Sequence, residues 1–319
     1  VLVIGGGVIG LSCAYYLQRA GFAVTVIEKG EFGGACSQAN CGFICPSHVL
    51  PLTEPGAIAM GVKSLFNPNA PFRVKPRVDP ALWAWMLQFA RRCRHAPMVN
   101  AGHALQSILE ASIHAYRELM AAESLDCEWR EDGLLYVLGT DRGMESFGRM
   151  DELLAREFGV RARRMDAKAL HTFEPGYRSD LAGAFLYEGD ASLRPERFVG
   201  GLRGLLEDRE VALHEHCEML EVRKEGDRIA ALATARGNME ADHYVFAAGA
   251  WAPHWQRTLE CRLPVQPGKG YSITLERPEN SPRSPTLFPE HRVGVTPMDG
   301  AIRLGSIMEF SGYDETIPE

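Results

Sequence analysis

The apolar residues of this chain change their spacing from segment to segment. Continuous β-favouring runs at 1–4 and 24–27 predict strands, and between them Leu11, Ala14, Tyr15 and Leu17 recur at helical spacing until Gly21 stops the helix. The first thirty residues therefore predict a β-α-β unit. Helical periodicity returns at 80–93, 104–123, 142–158 and 195–206, whereas 133–139 and 211–214 read as strands. Residues 229–235 and 238–244 predict a hairpin around Arg236-Gly237, residues 241–252 a strand that runs out into small residues, and 276–285, rich in Pro, Ser and charge, a loop. Trp83, Trp85, Leu87 and Phe89 are expected to pack in the core. The alternative for the aromatic, Arg-rich stretch 83–94 is a lipid-facing or partner-facing helix.

The turn after the first strand reads Gly5-Gly6-Gly7-Val8-Ile9-Gly10, a G-x-G-x-x-G between a strand and a helix, with Glu28 closing the second strand. Gly5 permits the tight turn, Gly7 lets the backbone approach a pyrophosphate, and Gly10 lets helix and strand pack closely. The helix N-terminus then faces the phosphates and Glu28 accepts hydrogen bonds from a ribose. An acid at that place argues against a 2′-phosphate, which favours FAD or NAD over NADP.

Composition narrows the choice without deciding it. The 319 residues suggest two domains at about 150 residues each. With 46% hydrophobic and 24% charged residues the chain is globular, and its 32 glycines hint at backbone held close to a ligand. The net charge of −7 has the wrong sign for a nucleic-acid binder. No apolar run reaches the ~18 to 20 residues that span a bilayer. Eight cysteines are too sparse for a disulfide scaffold, which points to a reducing cytoplasm.

Small and polar residues dominate Ser37-Gln38-Ala39-Asn40-Cys41-Gly42, and the end of the 241–252 strand reads Ala247-Ala248-Gly249-Ala250-Trp251, where Ala248 and Gly249 would let a second backbone approach the nucleotide. With the first turn, Glu28 and Leu263-Pro264-Val265-Gln266-Pro267-Gly268-Lys269-Gly270-Tyr271, these stretches occur in an order that resembles the FAD-dependent D-amino-acid oxidase and dehydrogenase superfamily, closest to the D-amino-acid dehydrogenase small-subunit branch. The resemblance implies an α/β flavoprotein in which FAD is laid across a Rossmann-like domain and its flavin ring is roofed by a mixed β-sheet substrate domain. The expected division is 1–45 with 191–262 for FAD, and 46–190 with 263–319 for substrate. Carried over by position, Ser37, Asn40, Cys41 and Gly42 line the pyrophosphate and flavin, and Met219 offers backbone to the adenine. Relatives have a small residue without a thiol at Cys41, which departs from their pattern.

The family's chemistry is hydride transfer from the α-carbon of an amino acid to flavin, giving an imine that water hydrolyses to a 2-oxo acid. The resemblance implies a D-amino acid or a cyclic secondary amine such as D-proline as substrate, and a quinone or another carrier as electron acceptor. A cytoplasmic enzyme in peripheral contact with the inner face of the membrane is compatible with that branch. Ile44, His48 and Tyr271 are the candidate pocket residues, and the catalytic residues are otherwise unassigned. The family places a carboxylate-binding arginine in a Gly-(Leu or Phe)-Arg-Pro segment and closes over FAD with a glycine-rich turn. Neither stands before Glu319, so a C-terminal part is expected beyond this chain, and a few residues ahead of Val1. Arg303 is not taken as that arginine.

Other readings compete. Cys36 and Cys41, four residues apart after Gly33-Gly34, resemble the redox pair of FAD-dependent disulfide reductases, but no second G-x-G-x-x-G is present to serve NAD(P)H and Gly42-Phe43 stands where that pair is followed by proline. Adding Cys45 gives a spacing that lacks the two-residue gap of an iron–sulfur site. A thioether from Cys41 to flavin is a further alternative. His214-Glu215-His216 lacks zinc-helix spacing. A non-catalytic FAD-binding subunit would also account for the absent C-terminal pattern.

Overall fold

The computed structural model describes residues 1–64, 72–74 and 78–317. The chain divides into two compact units.

The first unit comprises Val1–Asn40, Leu125–Cys127 and Pro195–Pro267. Its parallel sheet runs in the order Tyr244–Phe246, Leu2–Ile4, Thr25–Ile27, Ala212–His214, so the first strand is central. The helices Val8–Arg19 and Pro195–Asp208 pack against one another, burying Leu11, Ala14 and Tyr15 of the first and Phe198, Leu202 and Leu206 of the second. Gly33 adopts a φ of +74°, and a Cβ there would lie 2.6 Å from a Val199 methyl, so the loop closes onto the second helix only because a glycine stands there. The opposite face of the sheet buries Leu2, Ile4 and Ile27 against Met219, Val222 and Leu232 of a separate three-stranded antiparallel sheet. The expected hairpin is part of that sheet. Arg228–Thr234 pairs with Gly237–Met239, but the second arm is short, because Tyr244–Phe246 leaves it to join the parallel sheet beside Leu2–Ile4. The strand expected at 241–252 ends at Phe246, and Gly249–Trp255 is 3-10 helix.

The second unit comprises Cys41–Ser124, Glu128–Arg194 and Gly268–Glu319. A mixed sheet runs Lys269–Glu276, Ala301–Phe310, Val293–Met298, Thr286–Phe288, Leu134–Leu138, Gly183–Tyr187, Arg163–Asp166, and Phe72–Val74 adds to the second of these as an eighth strand. Alternation divides the sheet into two faces. Leu134, Tyr136, Leu138, Phe185 and Tyr187 pack under the helix Asp141–Phe158 with Met144, Leu154 and Phe158. Leu135, Val137, Ala184 and Leu186 point the other way, onto Met165, Leu170 and Tyr177. The helix ends as its sequence dictates: Thr140 caps it by accepting from the Gly143 N–H, and Gly159 terminates it at a φ of 69°.

The compact units divide at 40/41 and 194/195, Phe43–Ile44 pairing antiparallel with Ala191–Ser192 within the second unit, and residues 263–267 cluster with the first; the division expected from the sequence is 1–45 with 191–262 and 46–190 with 263–319. In the helix Pro80–Arg92, Trp85 and Phe89 stack at 5.3 Å, but Trp83 and Leu87 are 57% and 54% exposed. At about 100° per residue, positions two apart lie on nearly opposite sides of a helix, so these four residues cannot share one face. The helix expected at 104–123 starts earlier, spanning His95–Glu123.

Phe185 is 1% exposed and its ring meets that of Phe147 at 4.9 Å. Phe185→Ala is expected to cost about 3–5 kcal/mol, read as a lower denaturant midpoint with the slope unchanged.

Candidate active site

In the first unit the glycine turn is a backbone contact that no side chain could enter. Gly5 has a φ of +114°, and a Cβ there would lie 2.4 Å from the Ala247 carbonyl oxygen. A Cβ at Gly10 would lie 1.8 Å from the Gly5 carbonyl oxygen. The strand end holds its place because the Ala247 N–H donates to the Ile4 carbonyl at 2.8 Å. Ala248 follows at once, and Gly249 turns the chain at a φ of 52°. Gly7, the N-cap of Val8–Arg19, brings no side-chain cap, and no acid stands in the first turn, so the positive end of the helix keeps its electrostatic character. Ser37 Oγ accepts from the Val8 N–H at 2.9 Å, and Asn40 ties its own turn by donating to the Cys36 and Ser37 carbonyls.

The carboxylate of Glu28 accepts from the Gly6 N–H at 2.7 Å and the Gly30 N–H at 2.9 Å. The Cys217 N–H donates to the Glu28 carbonyl at 2.8 Å, which holds Cys217, two residues before Met219, at the end of that strand. Bare glycine backbone, a helix N-terminus and an acid ending the second strand fit the diphosphate and ribose of an adenine dinucleotide.

In the second unit Gly42 turns at a φ of 70° and its carbonyl accepts from the Leu193 N–H. The preceding Cys41 lays its sulfur over paired glycines: Cβ atoms at Gly294 and Gly305, which face each other across adjacent strands, would lie 3.2 and 2.4 Å from Sγ. The Thr296 hydroxyl donates to the Cys41 carbonyl at 2.6 Å. Arg303, buried on that same face, donates to Thr274 Oγ1 at 3.0 Å.

Further along that face lies a cavity of about 360 Å³. Leu50, Leu138, Phe147, Met150 and Leu154 form its apolar wall, Tyr136 and Tyr187 its aromatic floor, and Ser47, His48, Glu54 and Glu290 its polar rim. Glu290 holds the residues that lead into the helix Asp141–Phe158, accepting from the Thr140 hydroxyl and the Gly139 N–H, and these bonds keep its carboxyl below the usual range. Burial raises the carboxyl of Glu54, with Arg292 opposing. His48 is solvent-accessible yet recessed, and desolvation lowers its imidazole pKa.

Behind the rim is a buried acid, Asp190, 1% exposed. It accepts from the Ser47 N–H at 3.0 Å and the Ser47 hydroxyl at 2.6 Å. Burial pushes its carboxyl up to about 6, against the bonds from Ser47 and the Cys45 thiol, which pull it down. The same burial, with Asp190 beside it, raises the Cys45 thiol well above its ordinary value. Tyr136 and Tyr187 are raised as well, chiefly by burial, and Tyr187 donates to Asp151 at 3.2 Å.

The sequence profile of the family described as FAD dependent oxidoreductase matches residues 1–319. The chain belongs to the FAD-dependent oxidoreductase family. Among curated relatives, the D-amino acid dehydrogenase of Agrobacterium fabrum is 31% identical over 324 residues, covering 100% of this chain and 77% of that protein. The D-amino acid dehydrogenase of Methylobacterium nodulans is 32% identical over 325 residues, 99% of this chain and 77% of that protein. Among solved structures, glycine oxidase from Geobacillus kaustophilus shares the fold at a TM-score of 0.71 and 20% identity, covering 99% of this chain and 73% of that one. L-proline dehydrogenase from P. horikoshii does so at 0.67 and 17%, covering 99% and 72%. FAD is accordingly the dinucleotide that the glycine turn and Glu28 fit.

The three candidate pocket residues of this oxidoreductase do not converge. His48 lies on the cavity rim. Ile44 is half-buried in the short strand that pairs with Ala191–Ser192. Tyr271 points from the opposite face of the sheet, where its hydroxyl donates to Glu309 at 2.7 Å beside Lys269. A bulge at Ile307, whose φ is 59°, sets that register. The redox-pair reading is not favoured: Cys36 is exposed, whereas Cys41 packs on the Gly294–Gly305 pair with its thiol raised by burial, the reverse of a reactive cysteine. Glu215 of the His-Glu-His segment is engaged by Arg203 and the Phe32 N–H.

Ser47, Tyr136, Tyr187 and Asp190 went unread in the sequence. An acid in Gly189-Asp190-Ala191 is indistinguishable from a turn residue until the fold buries it.

Gly10→Ala is expected to abolish FAD retention and lower the melting temperature; flavin absorbance after gel filtration checks it. The carboxyl of Asp190 is raised in the folded state above its ordinary 3.8, so it stabilises the fold below about pH 4 and that contribution is lost as pH rises to about 6. Asp190→Asn is expected to remove this dependence, roughly 2–3 kcal/mol between pH 4 and 7 in chemical denaturation.

Proposed function

We propose that this enzyme oxidises the α-carbon of an amino acid, a D-amino acid or a cyclic secondary amine such as D-proline, to an imine that water hydrolyses to a 2-oxo acid. The observation that carries the reading is the cavity of about 360 Å³ with an apolar wall and a rim of His48, Glu54 and Glu290, a match in size and polarity to a small amine with an apolar side chain. The names of the curated relatives support the same substrate class.

Bound FAD would supply the hydride acceptor for the α-carbon. Gly5, Gly7, Gly10, Glu28, Ser37 and Asn40, with the backbone of Met219, Ala248 and Gly249, would hold its adenine-dinucleotide part in this reading. The cavity wall orients the substrate side chain and excludes water. With its pKa lowered, His48 is neutral at pH 7 and accepts the ammonium proton at a ring nitrogen, freeing the lone pair that drives hydride loss.

Electrons leave to a quinone or another carrier. Among the described residues no helix is long and apolar enough to cross a membrane. The exposed Trp83 and Leu87, with the exposed Arg91, Arg92 and Arg94 after them, are where a cytoplasmic enzyme would meet a membrane surface.

Anaerobic addition of D-proline and D-alanine to the FAD-loaded protein is expected to bleach the flavin band, and NAD(P)H is expected to leave it unchanged. Cys41→Ser should bleach as the parent does. Bleaching by NAD(P)H alone would instead support a disulfide reductase, and retained FAD that no amino acid reduces would support a non-catalytic subunit.

A further inference from the structure

Resting on the reading that the cavity holds the substrate, we infer that Asp190 is a positioning residue, which grips Ser47 by both its N–H and its hydroxyl and so fixes the loop that carries His48 in the cavity rim. The loop is held at its middle by its side chains: Cys45 packs on the core under the helix Asp141–Phe158, and Ser47 hydrogen-bonds both Tyr136 of the sheet and Asp190. Its start is fastened by the two-residue pairing of Phe43–Ile44 with Ala191–Ser192, and its far side by Val49, which is fully buried in the core under the helix Asp141–Phe158. Between them the chain makes tight turns, with the His48 N–H donating to the Cys45 carbonyl at 3.1 Å and the Val49 N–H to the Ser47 carbonyl at 2.9 Å. Such turns set local shape but do not anchor the loop to the sheet. Asp190 anchors it at two atoms of one residue, reaching the Ser47 N–H and hydroxyl across 143 residues of sequence.

The acid is itself held in place. Its N–H donates to the Tyr187 carbonyl at 3.2 Å, and the strand Gly183–Tyr187 ends directly before it in the sheet that floors the cavity. Charge-assisted hydrogen bonds to a buried carboxylate are stronger than neutral ones, and two bonds to one residue restrict both its position and its rotation. The titratable groups around Asp190 are the Cys45 thiol from the loop, Tyr136 and Tyr187 from the sheet, and Asp151, behind Tyr187, from the helix. Cys45, Tyr136 and Tyr187 are all raised, chiefly by burial, so they stay protonated where Asp190, at about 6, loses its proton.

The test uses the FAD-loaded full chain with Asp190→Ala, Asp190→Asn and Ser47→Ala, D-proline and D-alanine as donors, and the His48 resonance in ¹³C-labelled-histidine spectra, assigned with His48→Asn. Asp190→Ala is expected to raise KM by about tenfold with a smaller fall in kcat, and Ser47→Ala to shift both in the same direction by less. Asp190→Asn keeps an acceptor for the Ser47 N–H and presents a donor to its hydroxyl, so it should recover most of the KM at pH 7. The wild-type rise in KM below about pH 6 should be missing from it. In Asp190→Ala the His48 pKa should climb towards the ordinary 6.5 as the loop opens to water.

Unchanged KM and an unchanged His48 titration in Asp190→Ala that melts cooperatively would overturn the inference. Should that variant not fold, the same two measurements on Ser47→Ala and Asp190→Asn decide it. If neither amino acid bleaches the wild-type flavin, the oxidation reading fails, while the His48 titration still says whether Asp190 sets the loop.

Discussion

Three pieces of backbone occupy the space where side chains would stand at Gly5 and Gly10. The first strand turns at Gly5, the first helix starts beneath its carbonyl oxygen, and the chain returning after Phe246 brings the Ala247 carbonyl to the same point. A methyl group at either glycine would part the helix from the strand or the strand from Ala247. The order of the parallel sheet, the exposed N-terminus of Val8–Arg19 and the placing of Glu28 all depend on this contact, because each follows from how closely the central strand is approached.

The second unit is organised by burial of polar groups. Its sheet is covered on both faces, so an acid such as Asp190 must be satisfied inside the protein, and it is satisfied by Ser47, whose neighbour lines the cavity. The cost of keeping the carboxylate from water appears as its raised pKa, and in exchange the loop gains a defined position. Glu290, exposed on the cavity rim, instead holds the capping residue of a helix, accepting from the Thr140 hydroxyl and the Gly139 N–H. In both places a residue that shapes the site also completes a structural bond, which links specificity to stability.

Cys41 shows how little a residue type says without its surroundings. Beside Cys36 and after paired glycines it reads as one half of a redox pair. In the fold its sulfur fills a notch over Gly294 and Gly305, with Thr296 holding its carbonyl and Arg303 on the same face. The glycines opposite it, more than 250 residues away, are what turn a candidate nucleophile into a packing group.

The sequence by itself determined the nucleotide half of this oxidoreductase: the strand, the glycine turn, the helix and Glu28 lie within thirty residues, and local spacing is enough to specify them. Helix positions were legible for the same reason, since a period of 3.6 is a local property. Which side of a helix is covered was not, as Trp83 and Trp85 show, because that depends on what packs against it. The tertiary structure alone decided the cavity. Ser47, Tyr136, Tyr187, Asp190 and Glu290 come from distant strands and turns, no local pattern distinguishes a buried acid from a solvated one, and strand alternation sent Tyr271 to the far face while leaving His48 at the rim.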